Sequence, residues 1–396
     1  MQTVAIVGMS LAGLRAAETL RREGYDGRIV AIGGESHLPY DRPPLSKEIL
    51  RGEWEPDQIV LRKQGVEDLE LDWRLGARAT GLDVAARTVE LHDGEQVAFD
   101  GLVIATGAVP RRMPNQPDLA GVFVLRSLDE ALALRECLTG NPRVVVIGAG
   151  FIGAEVAAAC RMRGLDVTVL EMLPQPMVRG LGPDLGATIA AVHRDHGVDL
   201  RTGVTVEEIV GADGEVRAVR LGDGTVIEAD VVVVGVGVVP ETGWLEGSGL
   251  KIDNGIVCDE RCEASPGVVA AGDVARWPNP LFDGASMRLE HWTNATEQGV
   301  HAARRLLGHD EPFAPVPFVW SDQYDRKIQT VGIVSADADT HVAHGTLADR
   351  QFVSLFGRDG RIVGALGFNR PRNVMQYRRL IAERASWDDA LALANS

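Results

Sequence analysis

Two glycine-rich turns carry the clearest chemical signal in this sequence of 396 residues. Gly8–Gly13 has the pattern Gly-x-Ser-x-x-Gly, and Gly148–Gly153, 140 residues later, has the pattern Gly-x-Gly-x-x-Gly. In such a turn the first glycine permits the sharp bend, the second lets backbone N–H groups approach a pyrophosphate, and the third lets a helix pack closely on a strand. A single copy is also compatible with a turn that binds nothing. Two copies predict two dinucleotide sites, usually one for a flavin dinucleotide and one for an exchanging nicotinamide dinucleotide.

An acidic residue stands where the second copy needs one. Glu171 follows the apolar run Asp166–Leu170 and lies 23 residues after Gly148. This is close to the roughly 20 residues expected for the carboxylate that binds the ribose of NAD. No arginine follows directly to receive a 2′-phosphate, so the copy favours NAD over NADP. The alternative is a solvent-exposed acid at the end of a strand.

Apolar runs and helical segments alternate along the chain and would position these turns. Continuous apolar runs indicate strands buried on both faces, as in a parallel sheet flanked by helices. This predicts an α/β fold with ligand crevices at the carboxyl ends of the strands. The predicted strands are Val4–Val7, Ile29–Ile32, Leu102–Ile104, Val144–Ile147, Val231–Val234 and Val268–Ala271, and the predicted helices are Leu11–Glu23, Leu128–Leu138, Ile152–Arg163 and Asn294–Leu307.

The C-terminal part has a different pattern. Short runs separated by polar or glycine turns predict an antiparallel meander, and a helix at about Asn373–Arg384 follows it. The proline-rich stretch Pro312–Pro317 fits a linker, so we expect a separate C-terminal α+β domain. The runs of the meander are Ile328–Ile333, His341–Gly345, Gln351–Phe356 and Arg361–Phe368.

Composition excludes several classes of protein. The 40 Lys and Arg against 56 Asp and Glu give a net charge of −16, which argues against nucleic acid or an anionic membrane as the main partner. Four cysteines are too few for a disulfide scaffold. The sequence has no apolar run of about 18 residues and no export signal, so we expect a cytoplasmic protein. The 45 glycines among 396 residues are a larger fraction than the roughly 7% usual in proteins. They are expected in turns and ligand-binding loops.

Several segments, taken in their order along the chain, resemble a known family. The most specific is Pro39–Lys47, which reads Pro-Tyr-Asp-Arg-Pro-Pro-Leu-Ser-Lys. The whole chain resembles the NADH-dependent ferredoxin reductases that serve cytochrome P450s and Rieske oxygenases. The other segments that carry the resemblance are the two fingerprints, Ala105–Gly107, Ala271–Asp273, Glu290–Ala295 and Trp320–Tyr324.

The resemblance implies a domain arrangement and a set of cofactor contacts. An FAD domain of residues 1–112 and 243–315 would contain an inserted NAD domain of residues 113–242, and residues 316–396 would form the C-terminal domain. The implied FAD contacts are Gly8, Ser10, Gly13, Arg42, Lys47, Thr106, Gly107, Arg126, Asp273, His291, Trp292 and Trp320. The NAD contacts are predicted at Gly148, Gly150, Ile152, Gly153, Glu171 and Gly237.

One position departs from the family pattern. An acid often follows the glycine that ends the second strand directly, where it holds the adenosine ribose of FAD. Here Gly34 occupies that place and Glu35 comes one residue later. Either Glu35 takes the role with a shifted backbone, or water does.

Lys47 and Glu155 are the candidate catalytic pair. Hydride transfer between nicotinamide and flavin is chemistry that the cofactors carry themselves, so the protein must orient the rings and tune the potential. A lysine–glutamate pair beside the flavin would stabilise the negative charge of the reduced ring and stay neutral overall when buried. The alternative makes Lys47 a surface residue and Glu155 an acid that stabilises a helix N-terminus.

Cysteine and metal chemistry are not predicted. Related disulfide reductases place a cysteine pair shortly after the second strand, whereas residues 33–50 contain no cysteine. Cys258 and Cys262 are instead expected to be ordinary core or turn residues. No Cys-x-x-Cys or histidine-rich cluster suggests a metal.

The expected electron acceptor is a small acidic iron–sulphur ferredoxin. The reductase itself is expected to be a monomer. Because a reductase with a charge of −16 repels an acidic partner, docking would need a local positive patch. The candidate arginines are Arg304, Arg305, Arg370, Arg372, Arg378 and Arg379. Two alternatives stay open: a reductase of rubredoxin or another acceptor, and an NADH sensor resembling apoptosis-inducing factor.

Overall fold

The computed structural model describes residues 1–62 and 65–394. The α-helices are α1 (Leu11–Arg22), α2 (Glu48–Arg51), α3 (Leu128–Cys137), α4 (Phe151–Met162), α5 (Val178–Asp195), α6 (Trp292–Leu306), α7 (Pro371–Ala382) and α8 (Trp387–Ala394). Short 3-10 turns cover Pro43–Ser46, Pro56–Ile59, Glu67–Leu69, Gly243–Leu245, Gly272–Val274 and Pro280–Phe282. The strands are β1 (Thr3–Val7), β2 (Arg28–Gly33), β3 (Leu71–Leu75), β4 (Ala79–Asp83), β5 (Thr88–Leu91), β6 (Gln96–Ala98), β7 (Gly101–Ile104), β8 (Ala108–Pro110), β9 (Val122–Phe123), β10 (Val144–Ile147), β11 (Val167–Glu171), β12 (Asp199–Thr202), β13 (Val206–Ala212), β14 (Glu215–Leu221), β15 (Val226–Glu228), β16 (Val231–Val234), β17 (Val238–Pro240), β18 (Ile256–Val257), β19 (Glu263–Ser265), β20 (Val268–Ala270), β21 (Ala275–Asn279), β22 (Ala285–Met287), β23 (Phe318–Gln323), β24 (Arg326–Gly332), β25 (Asp339–Thr346), β26 (Gln351–Arg358) and β27 (Arg361–Phe368).

The chain forms two compact units, each built from separate stretches of sequence. The first contains Met1–Asp41, Val60–Val109 and Val239–Phe318, and the second contains Arg42–Ile59, Pro110–Val238 and Val319–Ser396. The three domains expected from the sequence stay a prediction. No helix among the described residues is both long enough and apolar enough to cross a membrane.

A six-stranded sheet forms the centre of the first unit. Its strand order is β19-β20-β7-β1-β2-β3, and every neighbouring pair is parallel except β19 with β20. The inner strands β7 and β20 are buried at every position, which explains their continuous apolar sequences. Since β1, β7 and β20 run in the same direction, the loops after them share one edge of the sheet.

The second unit contains a five-stranded parallel sheet of the same kind. Its order is β12-β11-β10-β16-β9. The buried side chains of β10, β11 and β16 pack with alanines of α4 in one core. Small residues on this helix allow it to lie close to the strands, as the glycine fingerprint requires. The α/β architecture expected from the sequence is therefore present in both units.

The C-terminal sheet corrects the predicted meander. Its strand order is β23-β24-β27-β26-β25, so β24 pairs antiparallel with β27 rather than with the next strand in sequence. Burial gives the physical reason: β26 and β27 are buried almost throughout, whereas β25 is mostly exposed. The apolar strands occupy the interior of the sheet and the polar strand takes an edge. The strand Phe318–Gln323 and the helix Trp387–Ala394 were not predicted.

Two candidate dinucleotide sites and a buried polar cluster

The fingerprint of the first unit has glycines that the backbone requires. Gly8 has a φ of 105°, and a Cβ atom placed on it would lie 2.1 Å from the carbonyl oxygen of Ala105. A Cβ on Gly13 would lie 2.1 Å from the carbonyl oxygen of Gly8. The turn is therefore packed directly against the neighbouring strand and the helix. Ser10 is the N-cap residue of α1, and the first turn of this helix has no acidic residue, as an anion site needs.

Glu35 lies at the expected end of the second strand. β2 ends at Gly33, and the carboxylate of Glu35 accepts a hydrogen bond of 2.5 Å from the hydroxyl of Tyr40. The half-buried side chain thus connects the end of β2 to the Pro39–Lys47 segment. Its role with the adenosine ribose stays a prediction.

The loops after β7 and β20 contain three further predicted FAD contacts. The Thr106 hydroxyl donates a hydrogen bond of 2.8 Å to the backbone oxygen of Glu241, so this side chain orders the loop. Gly107 has a φ of 73°. Asp273 is half-buried in the short turn directly after β20. Because β7 and β20 are neighbours in the sheet, these loops lie at the edge that also carries Gly8.

The start of α6 carries two predicted aromatic contacts, of which Trp292 binds the Pro39–Lys47 segment. The indole nitrogen of Trp292 donates a hydrogen bond of 2.6 Å to the carboxylate of Asp41. His291 is the N-cap residue of α6, and burial lowers its pKa to about 4 against the opposing effect of Asp273. The imidazole is therefore neutral at neutral pH.

Unpaired polar atoms at this helix start provide a test of whether a cofactor fits. Nδ1 of His291, Oδ1 of Asn294 and Oγ1 of Thr296 are buried and have no hydrogen-bond partner among the described residues. Buried polar atoms in native proteins are nearly always paired, so three such atoms within two helical turns are compatible with a polar ligand at this helix start. A dinucleotide, which has many polar atoms, is such a ligand.

The fingerprint of the second unit follows the same geometry. Gly148 has a φ of 101°, and a Cβ on it would lie 2.4 Å from the carbonyl oxygen of Gly235. A Cβ on Gly153 would lie 2.1 Å from the carbonyl oxygen of Gly148. By contrast, a Cβ on Gly150 or Gly237 would meet no described atom within 4 Å. Space for a ligand is therefore open at both positions. Glycine at Gly237 is nevertheless required by its φ of 99°, whereas nothing in the backbone or packing requires glycine at Gly150.

Glu171 lies beside this second fingerprint. It is only 9% exposed, and its carboxylate accepts hydrogen bonds from the backbone N–H groups of Ala149, at 2.7 Å, and Leu173, at 2.8 Å. The alternative of a solvent-exposed acid is therefore wrong. Ile152, in the first turn of α4, is 47% exposed, which is unusual for an isoleucine and suits a ligand contact.

Lys47 and Glu155 form a buried ion pair. The distance from Lys47 Nζ to Glu155 Oε2 is 2.8 Å, and the two side chains are only 7% and 4% exposed. The hydroxyl groups of Ser46 and Ser321 donate further hydrogen bonds to the same carboxylate, at 2.5 and 2.6 Å. The alternative of a surface lysine is wrong. These four residues are called the carboxylate cluster below.

Two family models match the chain over nearly its whole length. The model described as pyridine nucleotide-disulphide oxidoreductase matches residues 2–299, and the model described as reductase C-terminal matches residues 318–396. The chain belongs to the pyridine nucleotide-disulphide oxidoreductase family. It is accordingly a flavoprotein oxidoreductase that uses FAD and NAD(H), as the sequence predicted.

Several individual members of this family are similar to the chain over nearly its whole length. Rhodocoxin reductase of Rhodococcus erythropolis is 39% identical over 383 residues, covering 96% of this chain and 89% of the relative. The ferredoxin–NAD(+) reductase component of the anthranilate 1,2-dioxygenase system of Burkholderia cepacia is 39% identical over 388 residues, covering 97% and 95%. A chain of the covalent putidaredoxin reductase–putidaredoxin complex matches with a TM-score of 0.93 and 33% identity, covering 97% of this chain and 93% of that one. These matches confirm the predicted resemblance and the fold class of two Rossmann-like domains followed by an α+β domain.

The disulphide in the family name has no counterpart among these cysteines. All four are free. Burial raises the pKa of both Cys160 and Cys258 to about 12, and Cys262 is fully buried with its sulfur accepting a hydrogen bond from Gln298. The described residues contain no group of side chains suited to a metal ion. Cys160, Cys258 and Cys262 are buried and Cys137 is exposed, so the prediction that Cys258 and Cys262 are ordinary core or turn residues is confirmed.

The other predicted contacts lie in the second unit. Nη1 of Arg42 donates a hydrogen bond of 2.5 Å to the backbone oxygen of Arg126, so these two arginines lie close together. Trp320 is half-buried on β23, directly before Ser321. The predicted contacts of Arg42, Arg126 and Trp320 with FAD stay predictions.

Three contact residues were not predicted from the sequence. Ser46 and Ser321 bind the carboxylate of Glu155, and Asp41 binds the indole of Trp292. All three belong to segments that carried the family resemblance, so a signal was available. Their roles were not predictable because each partner is more than 100 positions away in the sequence.

Proposed function

We propose that this protein is an NADH-dependent ferredoxin reductase that supplies a cytochrome P450 or Rieske oxygenase. The observation that carries the proposal is the presence of two dinucleotide folds in one chain, with Glu171 beside the second fingerprint. The relatives named as ferredoxin reductase components support the acceptor class. FAD, when bound, accepts a hydride from NADH and releases the two electrons one at a time.

The first unit offers the groups that hold FAD. The backbone N–H groups at the start of α1 suit its pyrophosphate, because the helix N-terminus carries a partial positive charge. Asp273 would accept hydrogen bonds from hydroxyl groups, and the unpaired atoms at the start of α6 would obtain partners. The residues of this unit proposed for FAD are Gly8, Ser10, Gly13, Glu35, Thr106, Gly107, Asp273, His291 and Trp292.

The second unit offers the groups that hold the nicotinamide dinucleotide. Glu171, beside the Gly148–Gly153 turn, would accept hydrogen bonds from the ribose hydroxyls. A 2′-phosphate would bring negative charge next to this carboxylate, which explains a preference for NADH over NADPH. Gly150, Ile152 and Gly237 would contact the ligand, since space is open at both glycines.

Lys47 is proposed to supply a positive charge that favours reduced FAD, with Glu155 fixing its position. Two features of the carboxylate cluster support this role. The lysine is held by the carboxylate and by the backbone oxygen of Pro43, at 3.1 Å, and water is nearly excluded. A charge in such a place acts more strongly than one at the surface.

Three finer statements about partners and location are also proposals. The ferredoxin is a small acidic protein of the 2Fe-2S type or similar, the reductase is a cytoplasmic monomer, and it does not bind nucleic acid. The net charge of −16 supports the last point. It also requires a local positive surface for an acidic partner.

A titration followed by a turnover assay tests the proposal. We expect the purified yellow protein to be bleached by one equivalent of NADH, with NADPH much less effective. It should then reduce ferredoxin, and through it cytochrome c, over many cycles. A long-lived complex of reduced FAD with NAD and poor turnover with ferredoxins would indicate an NADH sensor instead. Turnover with rubredoxin alone would change the acceptor but keep the reductase chemistry.

A further inference from the structure

A chain of buried hydrogen bonds continues from the carboxylate cluster into the C-terminal sheet. Ser321 Oγ is 3.1 Å from Gln323 Nε2, and Gln323 Oε1 is 3.1 Å from His193 Nε2. Nδ1 of the same imidazole is 3.0 Å from the hydroxyl of Tyr324. Ser321, Gln323 and His193 are all at most 3% exposed. The path links Glu155 on α4 to residues of β23 and α5.

The chemistry of the groups allows only one direction along this chain. A carboxylate accepts but does not donate, so the single hydrogen of Ser321 must go to Glu155. The Ser321 oxygen therefore accepts from the amide N–H₂ of Gln323, whose carbonyl oxygen then faces the imidazole. His193 must carry its hydrogen on Nε2 and accept at Nδ1 from the phenol of Tyr324.

The protonation of the imidazole agrees with this direction. Burial lowers the pKa of His193 to about 4, against the opposing effect of its bond to Gln323. Burial also raises the pKa of Tyr324, which keeps its hydroxyl protonated as a donor. Each bond thus polarises the next in the same sense, and a chain of this kind strengthens its last bond. The last bond is the one to Glu155.

The amide excludes one obvious role for the chain. A proton passing from His193 towards Ser321 would have to cross the amide of Gln323, which holds its two N–H hydrogens and carries none on oxygen. The chain is therefore suited to orient groups and not to conduct protons. What it orients is Oε1 of Glu155, the carboxylate oxygen opposite the one that binds Lys47.

We propose that Gln323 and His193 are positioning residues, which hold the carboxylate of Glu155 in the orientation that fixes Lys47. Neither residue was predicted to contact a cofactor, although Gln323 lies in Trp320–Tyr324, a segment that carried the family resemblance. The proposal rests on the proposed function, because its effect is read in the reduction of FAD by NADH. The C-terminal sheet then contributes to the carboxylate cluster through β23, beyond any role in contacting a partner protein.

Substitutions at Gln323 provide the test. Gln323→Met keeps the size but removes both hydrogen-bonding groups, and Gln323→Glu keeps the shape but replaces the donor to Ser321 by an acceptor. In single-turnover experiments we expect both variants to lower the rate constant of FAD reduction by bound NADH roughly 3- to 10-fold, the range for one lost hydrogen bond. The Kd for NADH and the FAD content should stay unchanged. Ser354→Ala, which removes a buried serine hydroxyl from the same sheet, is the matched control with wild-type kinetics.

A spectroscopic readout is independent of the reaction. With ¹⁵N-labelled histidine, the wild-type His193 should show one tautomer with hydrogen on Nε2. Gln323→Met should lose this fixed state, whereas Gln323→Glu should keep it, because its carboxylate still accepts from Nε2–H. A wild-type rate constant in Gln323→Met would overturn the positioning role, even if the tautomer changed. An unchanged His193 tautomer in Gln323→Met would show that the proposed chain of hydrogen bonds does not exist. If NADH does not reduce FAD in the wild-type protein, the proposed function fails, while the histidine spectra still decide whether the chain exists.

A milder variant covers the case in which Gln323→Met does not fold. Tyr324→Phe removes one hydroxyl and keeps the ring that stacks on His196 with centroids 3.7 Å apart. His193 should keep its hydrogen on Nε2, because the carbonyl oxygen of Gln323 still accepts it. We expect a decrease of about twofold in the rate constant of FAD reduction. An unchanged rate constant, or a move of the hydrogen to Nδ1, would contradict the proposal.

Discussion

Lys47 and Glu155 show how strongly an ion pair depends on its neighbours when water is excluded. Removing one member of a buried pair usually costs about 3–5 kcal/mol, because the other charge is left without a partner. Here the remaining carboxylate would still accept hydrogen bonds from Ser46 and Ser321. We therefore expect Lys47→Met to destabilise the protein by about 3 kcal/mol, at the lower end of that range. Denaturant unfolding with FAD bound measures this.

The same variant tests the proposed catalytic role. Losing the positive charge should lower the midpoint potential of FAD, because the reduced anionic ring is less stabilised, and should slow hydride transfer about tenfold, or ~1.4 kcal/mol. The double variant Lys47→Met/Glu155→Gln removes both charges and is the matched control, which should recover stability but not rate. If both the potential and the rate of Lys47→Met equal those of the wild type, the pair has only a structural role.

Residue types were easier to predict than residue partners. Lys47 and Trp292 were identified because their segments resemble a family, and Glu155 because it follows the second fingerprint. The structure places all three in buried or half-buried polar contacts. The sequence did not identify Ser321 as a partner of Glu155, since 166 positions separate them. Hydrogen bonds between distant segments depend on how the sheets and helices pack, and no local pattern encodes that.

At the level of elements, burial decided which predictions succeeded. The inner parallel strands were predicted well because strands buried on both faces are continuously apolar, whereas the parallel edge strands β3, β9 and β12 were not predicted. The strand order of the C-terminal sheet was not predicted, since the positions of β24 and β25 depend on which strands are buried in the folded protein. Helix starts also shifted: α6 begins at Trp292 rather than Asn294. The difference matters because it makes His291 the N-cap residue.

Gly150 and Gly153, at the start of α4, should respond differently to substitution by alanine. Gly150 has room for a methyl group, so Gly150→Ala should leave the Tm nearly unchanged. Gly153 does not, since its Cβ would lie 2.1 Å from a carbonyl oxygen, and Gly153→Ala should destabilise the protein by roughly 1–3 kcal/mol. If Gly150 faces the dinucleotide, its variant should still raise the Kd for NADH about tenfold, with normal FAD content.

Matched measurements separate ligand binding from folding. Thermal unfolding, FAD absorbance and NADH titration of Gly150→Ala and Gly153→Ala are compared with those of Gly13→Ala, where a Cβ meets the equivalent oxygen of the first fingerprint. Gly13→Ala should lose FAD. An unaltered NADH affinity in Gly150→Ala would show that this position does not face the ligand.

For the whole molecule, charge decides where an acidic partner can dock. The net charge of −16 repels a ferredoxin at long range, so local arginines must attract it. Arg304 and Arg305 are poor candidates, because each is already paired with acidic side chains: Arg304 with Glu23, and Arg305 with Glu263 and Asp310. Their charges are largely neutralised, in contrast to what the sequence alone suggested.

The start of α7 is a better candidate for that surface. Arg370 is its N-cap residue, Arg372 is exposed in the first turn, and that turn has no acidic residue. Cations at a helix N-terminus are unfavourable by a few tenths of a kcal/mol or more, so their charges add to the positive end of the helix. We expect Arg372→Glu to lower kcat/KM for ferredoxin about tenfold at low salt, with ferricyanide reduction unchanged and the difference shrinking as salt rises. Arg304→Glu is the control and should have a smaller effect on ferredoxin. Equal losses with both acceptors, or a larger loss in Arg304→Glu, would place the docking surface elsewhere.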